Sequence, residues 1–113
     1  MSEVLKLNRR FALEEAERVP DGAGGHAESW SVLGTLWGQL KSGAGRERLT
    51  GGVALSAVSC RIIFRAAPAG SVQRPKPEQR LREGSRVFRI LAVGDYDRAG
   101  RYVICHASEE VLS

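Results

Sequence analysis

The residues able to do chemistry in this 113-residue chain are few and scattered. His26 sits in a glycine-rich stretch and His106 is next to Cys105, from which it points away if the two lie on a strand, so neither has the spacing of a metal motif. Asp95 and Asp97 flank Tyr96 in a segment of turn composition, where aspartate is a turn former before it is an acid, a base or a cation ligand. No Gly-x-Ser-x-Gly elbow and no phosphate-binding P-loop occurs. The Asp21-Gly22-Ala23-Gly24-Gly25 cluster has the glycines of a dinucleotide-binding turn, but no buried strand leads into it and no helix leaves it. Cys60 and Cys105 each fall on the apolar parity of a strand, which predicts buried free thiols and not a disulfide or metal pair. The expectation is a protein that is not an enzyme and takes no cofactor.

Cationic residues remain, and their placement is uneven. Residues 1–57 hold seven Lys or Arg against seven Asp or Glu, whereas residues 58–113 hold ten against six. The net charge of +4 therefore lies in the second half, carried mostly by arginine, which suits phosphate contacts and carboxylate pairs between subunits alike. A solvated charged face is the plain alternative.

The elements that position these residues read as strands. Residues 30–40 are aromatic and branched without a helix cap, so Trp30, Val32, Leu36 and Leu40 are expected on one face and Leu33, Thr35, Trp37 and Gln39 on the other. Residues 58–65 alternate more cleanly: Val58, Cys60, Ile62 and Phe64 face one way, Ser59, Arg61, Ile63 and Arg65 the other. Residues 7–19 read as a strand before the Asp21-Gly22 turn. Residues 80–83 suggest a short edge strand, 86–93 a strand, and 101–107 its hairpin partner, with 108–113 an acidic tail. Residues 41–57 are too long for a tight hairpin and predict a projecting loop, with a short helical turn over 46–49. Three of the four prolines fall in 66–79, which reads as an extended connector. The expectation is one all-β domain over 1–113, a small antiparallel β-barrel or sandwich of about six strands with a long loop between the second and third. Neither a signal core nor a membrane-length apolar run is present, so a chain kept in the cytoplasm unless it leaves in a larger particle is expected.

In order and spacing, the chain resembles the head-tail joining family of tailed bacteriophages, the head-closure or stopper proteins of the neck. The resemblance runs from Leu7, Arg9, Arg10, Phe11 and Leu13 through the Asp21-Gly22 turn to Trp30, then Trp37-Gly38-Gln39-Leu40 and Gly45-Arg46-Glu47. It continues in residues 61–65, in the Arg86-Val87-Phe88-Arg89-Ile90 strand, and in Tyr102 to Glu110. Ser42 stands where the family commonly has proline, and residues 66–85 are longer and richer in proline than its pattern. The resemblance implies a homo-oligomeric ring, hexameric or dodecameric, in the neck of a phage, prophage or gene transfer agent particle assembled in the bacterial cytoplasm. It implies adaptor or portal proteins on the head side, a tail terminator on the tail side, and double-stranded DNA crossing the lumen, with no membrane partner. On that reading Lys41, Arg46 and Arg48 face the lumen and the DNA, and Trp30, Trp37, Arg61 and Arg65 are candidates for the subunit interface. A monomeric nucleic-acid-binding barrel using the basic second half is the competing reading.

Overall fold

The computed structural model describes residues 4–20, 22–42, 48–50, 53–55, 57–68 and 70–110, and every regular element among them is a strand. In chain order these are β1 (Arg9–Pro20), β2 (His26–Ser42), β3 (Arg48–Thr50), β4 (Val53–Leu55), β5 (Ala57–Arg65), β6 (Arg80–Glu83), β7 (Arg86–Asp95) and β8 (Tyr102–Glu110). Six of them close a barrel in the order β1-β2-β5-β8-β7-β6, while β3 and β4 pair antiparallel as a separate two-stranded sheet. The all-β fold expected from the alternation is therefore met, and of barrel and sandwich it is the closed barrel.

The core follows from period two. Inward-facing Phe11, Leu13, Cys60, Ile62, Phe64, Leu81, Phe88, Ile90, Val103, Cys105 and Ala107 form one buried cluster. At its centre Phe11 meets Phe64 edge-on, with centroids 5.6 Å apart at 84°, and Phe88 at 5.8 Å and 78°, the arrangement that ring quadrupoles favour. Cys60 and Cys105 are free thiols in this cluster, and burial raises their pKa to about 11 and about 12. Ile63 faces away from the cluster yet is also buried, between Gln39 of β2 and Ile104 of β8 in the ladder.

Several expectations are corrected. β2 begins at His26, not Trp30, because β1 pairs with it as far as Pro20↔His26. Its faces do not follow a single alternation: the register passes from Leu13↔Gly34 to Glu14↔Val32, leaving Leu33 as a bulge. Leu33, Leu36 and Leu40 consequently pack against the core while Val32 is 57% exposed. β6 is not an edge, since it pairs with β1 and β7 and so closes the barrel. Ser108 to Glu110 belong to β8, in register with Ala57 to Ser59, and are not tail. Arg48 and Leu49 lie in a strand and not a helical turn; Arg46 and Glu47 are outside the described residues.

The barrel occupies only part of the length of its longest strands. Residues 15–20 of β1 and 26–31 of β2 pair with each other and with no other strand, forming a two-stranded ribbon beyond one end of the barrel. The β3–β4 pair is inserted between the ends of β2 and β5 at the opposite end. The molecule measures 55 × 37 × 23 Å, with a radius of gyration of 15.6 Å against the ~13 Å usual for a compact chain of this length.

Gly38 is fixed by close packing. A β-carbon there would stand 2.6 Å from Cε1 of Phe64 and 2.9 Å from the Ile63 carbonyl oxygen, so the wall of β2 and β5 closes only because that atom is missing. Gly38→Ala should lower stability by about 2 kcal/mol in urea unfolding, with an unchanged m-value, as overpacking costs of that order predict; a variant as stable as the parent would show that the wall gives way freely.

Candidate assembly interface

Two charge systems and one outward face make up the surface that could bind partners. The first system sits at the barrel end from which β3–β4 departs. Arg9 binds Glu83 through two nitrogens, its Nε donating to Oε2 at 2.8 Å. Arg86 binds Glu109 in the same forked way, with Nε to Oε2 at 2.7 Å and Nη2 to Oε1 at 2.9 Å. Arg86 Nη1 lies 3.9 Å from Glu83 Oε1 and joins the pairs. The hydrogen bond from Arg9 holds the Glu83 carboxyl below its ordinary value of 4.5, against partial desolvation, and that from Arg86 does the same for Glu109. One residue each from β1, β6, β7 and β8 is thereby tied at one rim.

The second system lies on the outer face where β1 meets β6. Glu14 is 1% exposed, accepts a hydrogen bond from Arg80 Nε at 2.6 Å, and has Arg82 Nη2 at 2.8 Å. The Arg80 guanidinium also lies over the Trp30 ring, 4.1 Å from its centroid. Trp30 is accordingly half-buried at the base of the ribbon, and it is not part of the core cluster.

The outward face of β2, β5 and β8 gathers the other sequence-predicted residues. Lys41 stands opposite Arg61, Arg61 opposite His106, and Arg65 opposite Tyr102, with the Arg65 guanidinium 5.9 Å from the Tyr102 ring centroid. Trp37 lies on the same side of β2, 53% exposed and opposite Arg10. Arg10, Arg61 and Arg65 are exposed and form no ion pair among the described residues. Trp37, Lys41, Arg61 and Arg65 are thus brought onto one face, and Trp30 is separated from them. Arg48 lies on β3; Arg46 is outside the described residues. His106 and Arg10 belong to this face and were not among the interface candidates of the sequence. Their strand parity beside Arg61 and Trp37 is the signal that would have found them.

Of the aspartates, Asp97 Oδ1 accepts from the backbone N–H of Arg101 at 2.9 Å and of Tyr102 at 3.1 Å, which is turn geometry. Asp95 lies 4.0 Å from Arg74. The two carboxylates do not converge on a site.

A family model described as phage head completion protein matches residues 4–110. The chain belongs to the phage head completion protein family. A chain from a solved structure, described as the virion of native gene transfer agent (GTA) particle, is 50% identical; the match covers 99% of this chain and 100% of that one, with a TM-score of 0.81. No curated protein matches. Membership agrees with the resemblance read from residue order and makes this a protein of a virion structural family, in which a surface is to be judged by what it can join.

The rim network makes a pH prediction. Glu83 and Glu109 have folded-state values below their unfolded ones, so their contribution is complete above the ordinary glutamate value and is lost as pH falls through the lowered values. The urea midpoint should hold steady above about pH 5.5 and fall below about pH 5. Glu83→Gln with Glu109→Gln should flatten that fall; an equally steep acid limb in the double variant would place the acid sensitivity elsewhere.

Proposed function

We propose that this chain is a structural neck protein of a phage-like particle, closing into a ring between the portal or adaptor complex and the tail and surrounding the DNA path. The observation that carries this is full-length similarity, at 50% identity, to a chain of a gene transfer agent virion, together with the family match. The geometry suits it. A closed ring needs a heterologous contact in which two different surfaces of one subunit meet. The outward face with Trp37, Arg61 and Arg65 is one such surface, since an exposed tryptophan among unpaired arginines has the composition of interface hot spots. Trp30 would act at the margin of that contact, through the ribbon it braces. In this reading the ring is a hexamer, with a dodecamer as the other closed count, and a tail terminator meets its far side.

Lys41, Arg46 and Arg48 are assigned to the lumen. Lys41 lies on the barrel wall opposite Arg61, one residue before β2 ends at Ser42, and Arg48 opens the β3–β4 pair that follows, so both stand at the barrel end where that pair departs; Arg46 is outside the described residues. Repetition around a ring turns a few weak charges into a strong field, while each contact with a phosphate stays loose enough for DNA to pass. The competing reading, a monomeric nucleic-acid-binding barrel, draws on the same two arginines beside Trp37, Arg61 and Arg65, which form no ion pair among the described residues. It requires the isolated protein to bind DNA tightly, with a steep salt dependence.

Three experiments test the reading. Cryo-electron microscopy of purified particles should place the chain as a ring at the head-to-tail junction; density elsewhere would remove the assignment. In particles lacking residues 43–52, the ring should persist while DNA retention or delivery changes, and unchanged delivery would exclude a channel role for this segment. Trp37→Ala should weaken incorporation with stability kept within about 0.5 kcal/mol, as for an exposed site, whereas Trp30→Ala should lower stability by releasing Arg80; full incorporation of a folded Trp37→Ala variant would remove Trp37 from the interface.

A further inference from the structure

The ribbon is the part of the molecule that its own fold leaves uncovered. On β1 the inward side runs Phe11, Leu13, Glu15, Glu17, so the residues that would continue the core become carboxylates where the barrel ends. Glu15 pairs with Ser31 and Glu17 with Ser29 across the ribbon, which makes that face acidic and polar, and Glu15, Glu17 and Ser29 are exposed. An isolated two-stranded ribbon is marginal in water, and both outer edges of this one are free of ladder partners. Elsewhere on the same chain Arg10, Arg61 and Arg65 stand exposed without carboxylate partners among the described residues.

From this complementarity we infer that the Glu15/Glu17 face of the ribbon seats on the Arg61/Arg65 face of a second copy of the chain. The inference rests on the ring reading above and specifies its contact. The two surfaces differ and sit on different parts of the subunit, the ribbon beyond the barrel end and the basic face on the barrel wall. Their pairing is therefore heterologous, the type that closes a ring and not a two-fold dimer. Six residue pairs span roughly 17–20 Å, and two strands with their side chains roughly 10 Å, so the ribbon face covers about 200 Å². A standard interface needs about 800 Å² per partner, so the ribbon fixes orientation and partner choice while barrel surfaces, Trp37 among them, supply the remaining area.

The test uses charge exchange in the full chain within particles. Glu15→Lys with Glu17→Lys makes one variant, and Arg61→Glu with Arg65→Glu the other; circular dichroism and thermal melting of each purified protein confirm that it folds. Either variant produced alone should enter purified particles about tenfold less than the parent, by quantitative mass spectrometry, because its ribbon and wall now repel. Produced together they should enter again, since in a ring of even copy number alternating subunits restore attraction at every contact. Incorporation of each folded variant alone at the parent level would overturn the ribbon contact and leave the ring reading intact. Failure of the mixture to recover, with both proteins folded, would overturn it as well. Absence of the parent chain from the neck would instead defeat the ring reading, and the ribbon contact with it.

Discussion

Everything in the barrel depends on a short seam. β6 supplies only four residues, and it joins β1 through Ala12↔Arg82, Leu13↔Leu81 and Glu14↔Arg80. So few ladder pairs must offset the ordering of the connector that delivers β6 to this position. The seam is reinforced on both sides. Inside, Leu13 and Leu81 are fully buried with Phe11 and Phe88; outside, Glu14 is enclosed by Arg80 and Arg82. A buried carboxylate is a poor source of net stability, because its desolvation offsets most of its attraction to the arginines. It is a good source of register. A slip by one residue would turn Glu14 into the aromatic core and bring Leu13 out to the arginines, which a barrel with no spare ladder pairs does not tolerate. The Arg9–Glu83 fork applies the same constraint at the rim, tying the start of β1 to the end of β6.

Closure in turn decides how such a chain can meet partners. A closed barrel has no sheet edge to offer, so its wall binds through side chains alone. The available side chains fall into sets of opposite character. Around the rim and seam, arginines and glutamates satisfy each other within the chain, in forks short enough to lower the carboxyl pKa values of Glu83 and Glu109. On the wall of β2, β5 and β8, Arg61 and Arg65 stand exposed with no ion pair among the described residues, beside Trp37, which is more than half exposed. Arginine is thus used in two ways in one small protein. Counting charge in the sequence cannot separate them, because the distinction lies in which strand runs alongside.

That limit explains what was legible. Residues 58–65 alternate cleanly in a barrel wall, so their parity gave part of the core directly: Cys60, Ile62 and Phe64 are all buried. β2 could not be read that way, because the bulge at Leu33 reverses the faces midway and nothing in the residue types marks it. β6 looked like an edge because four polar-flanked residues do not reveal that β1 is waiting on the other side. The 108–110 segment looked like a tail because its carboxylates are polar; Glu109 is held in the strand by Arg86, a pairing across 23 residues. Of the candidate site, Arg61 and Arg65 share an outward face by alternation, whereas the alternation of residues 30–40 left open which tryptophan faces outward, and the structure puts Trp37 beside the two arginines. Trp30 was placed with them by type, and the structure moves it to the seam, where Arg80 covers it. The family itself was legible from the order of its motifs, which survives such local errors.

The remaining order in the molecule comes from the length of one strand. At about 3.3 Å per residue, the 17 residues of β2 extend roughly 55 Å, the same as the longest dimension of the whole protein. A single strand therefore carries the ribbon at one end, passes through the barrel wall past Trp37 and Gly38, and ends at Ser42, before the β3–β4 segment. The spatial relation between the two projecting parts is set by that strand and by the two places where its regularity is broken, the bulge at Leu33 and the contact of Gly38 with Phe64. A bulge bends a strand and increases its twist, so the angle of the ribbon to the barrel is fixed one turn of pleat away from Glu14 and the seam. Closure of the barrel and the direction of its longest projection are consequently parts of one constraint: the register that keeps Glu14 between its arginines also aims the ribbon.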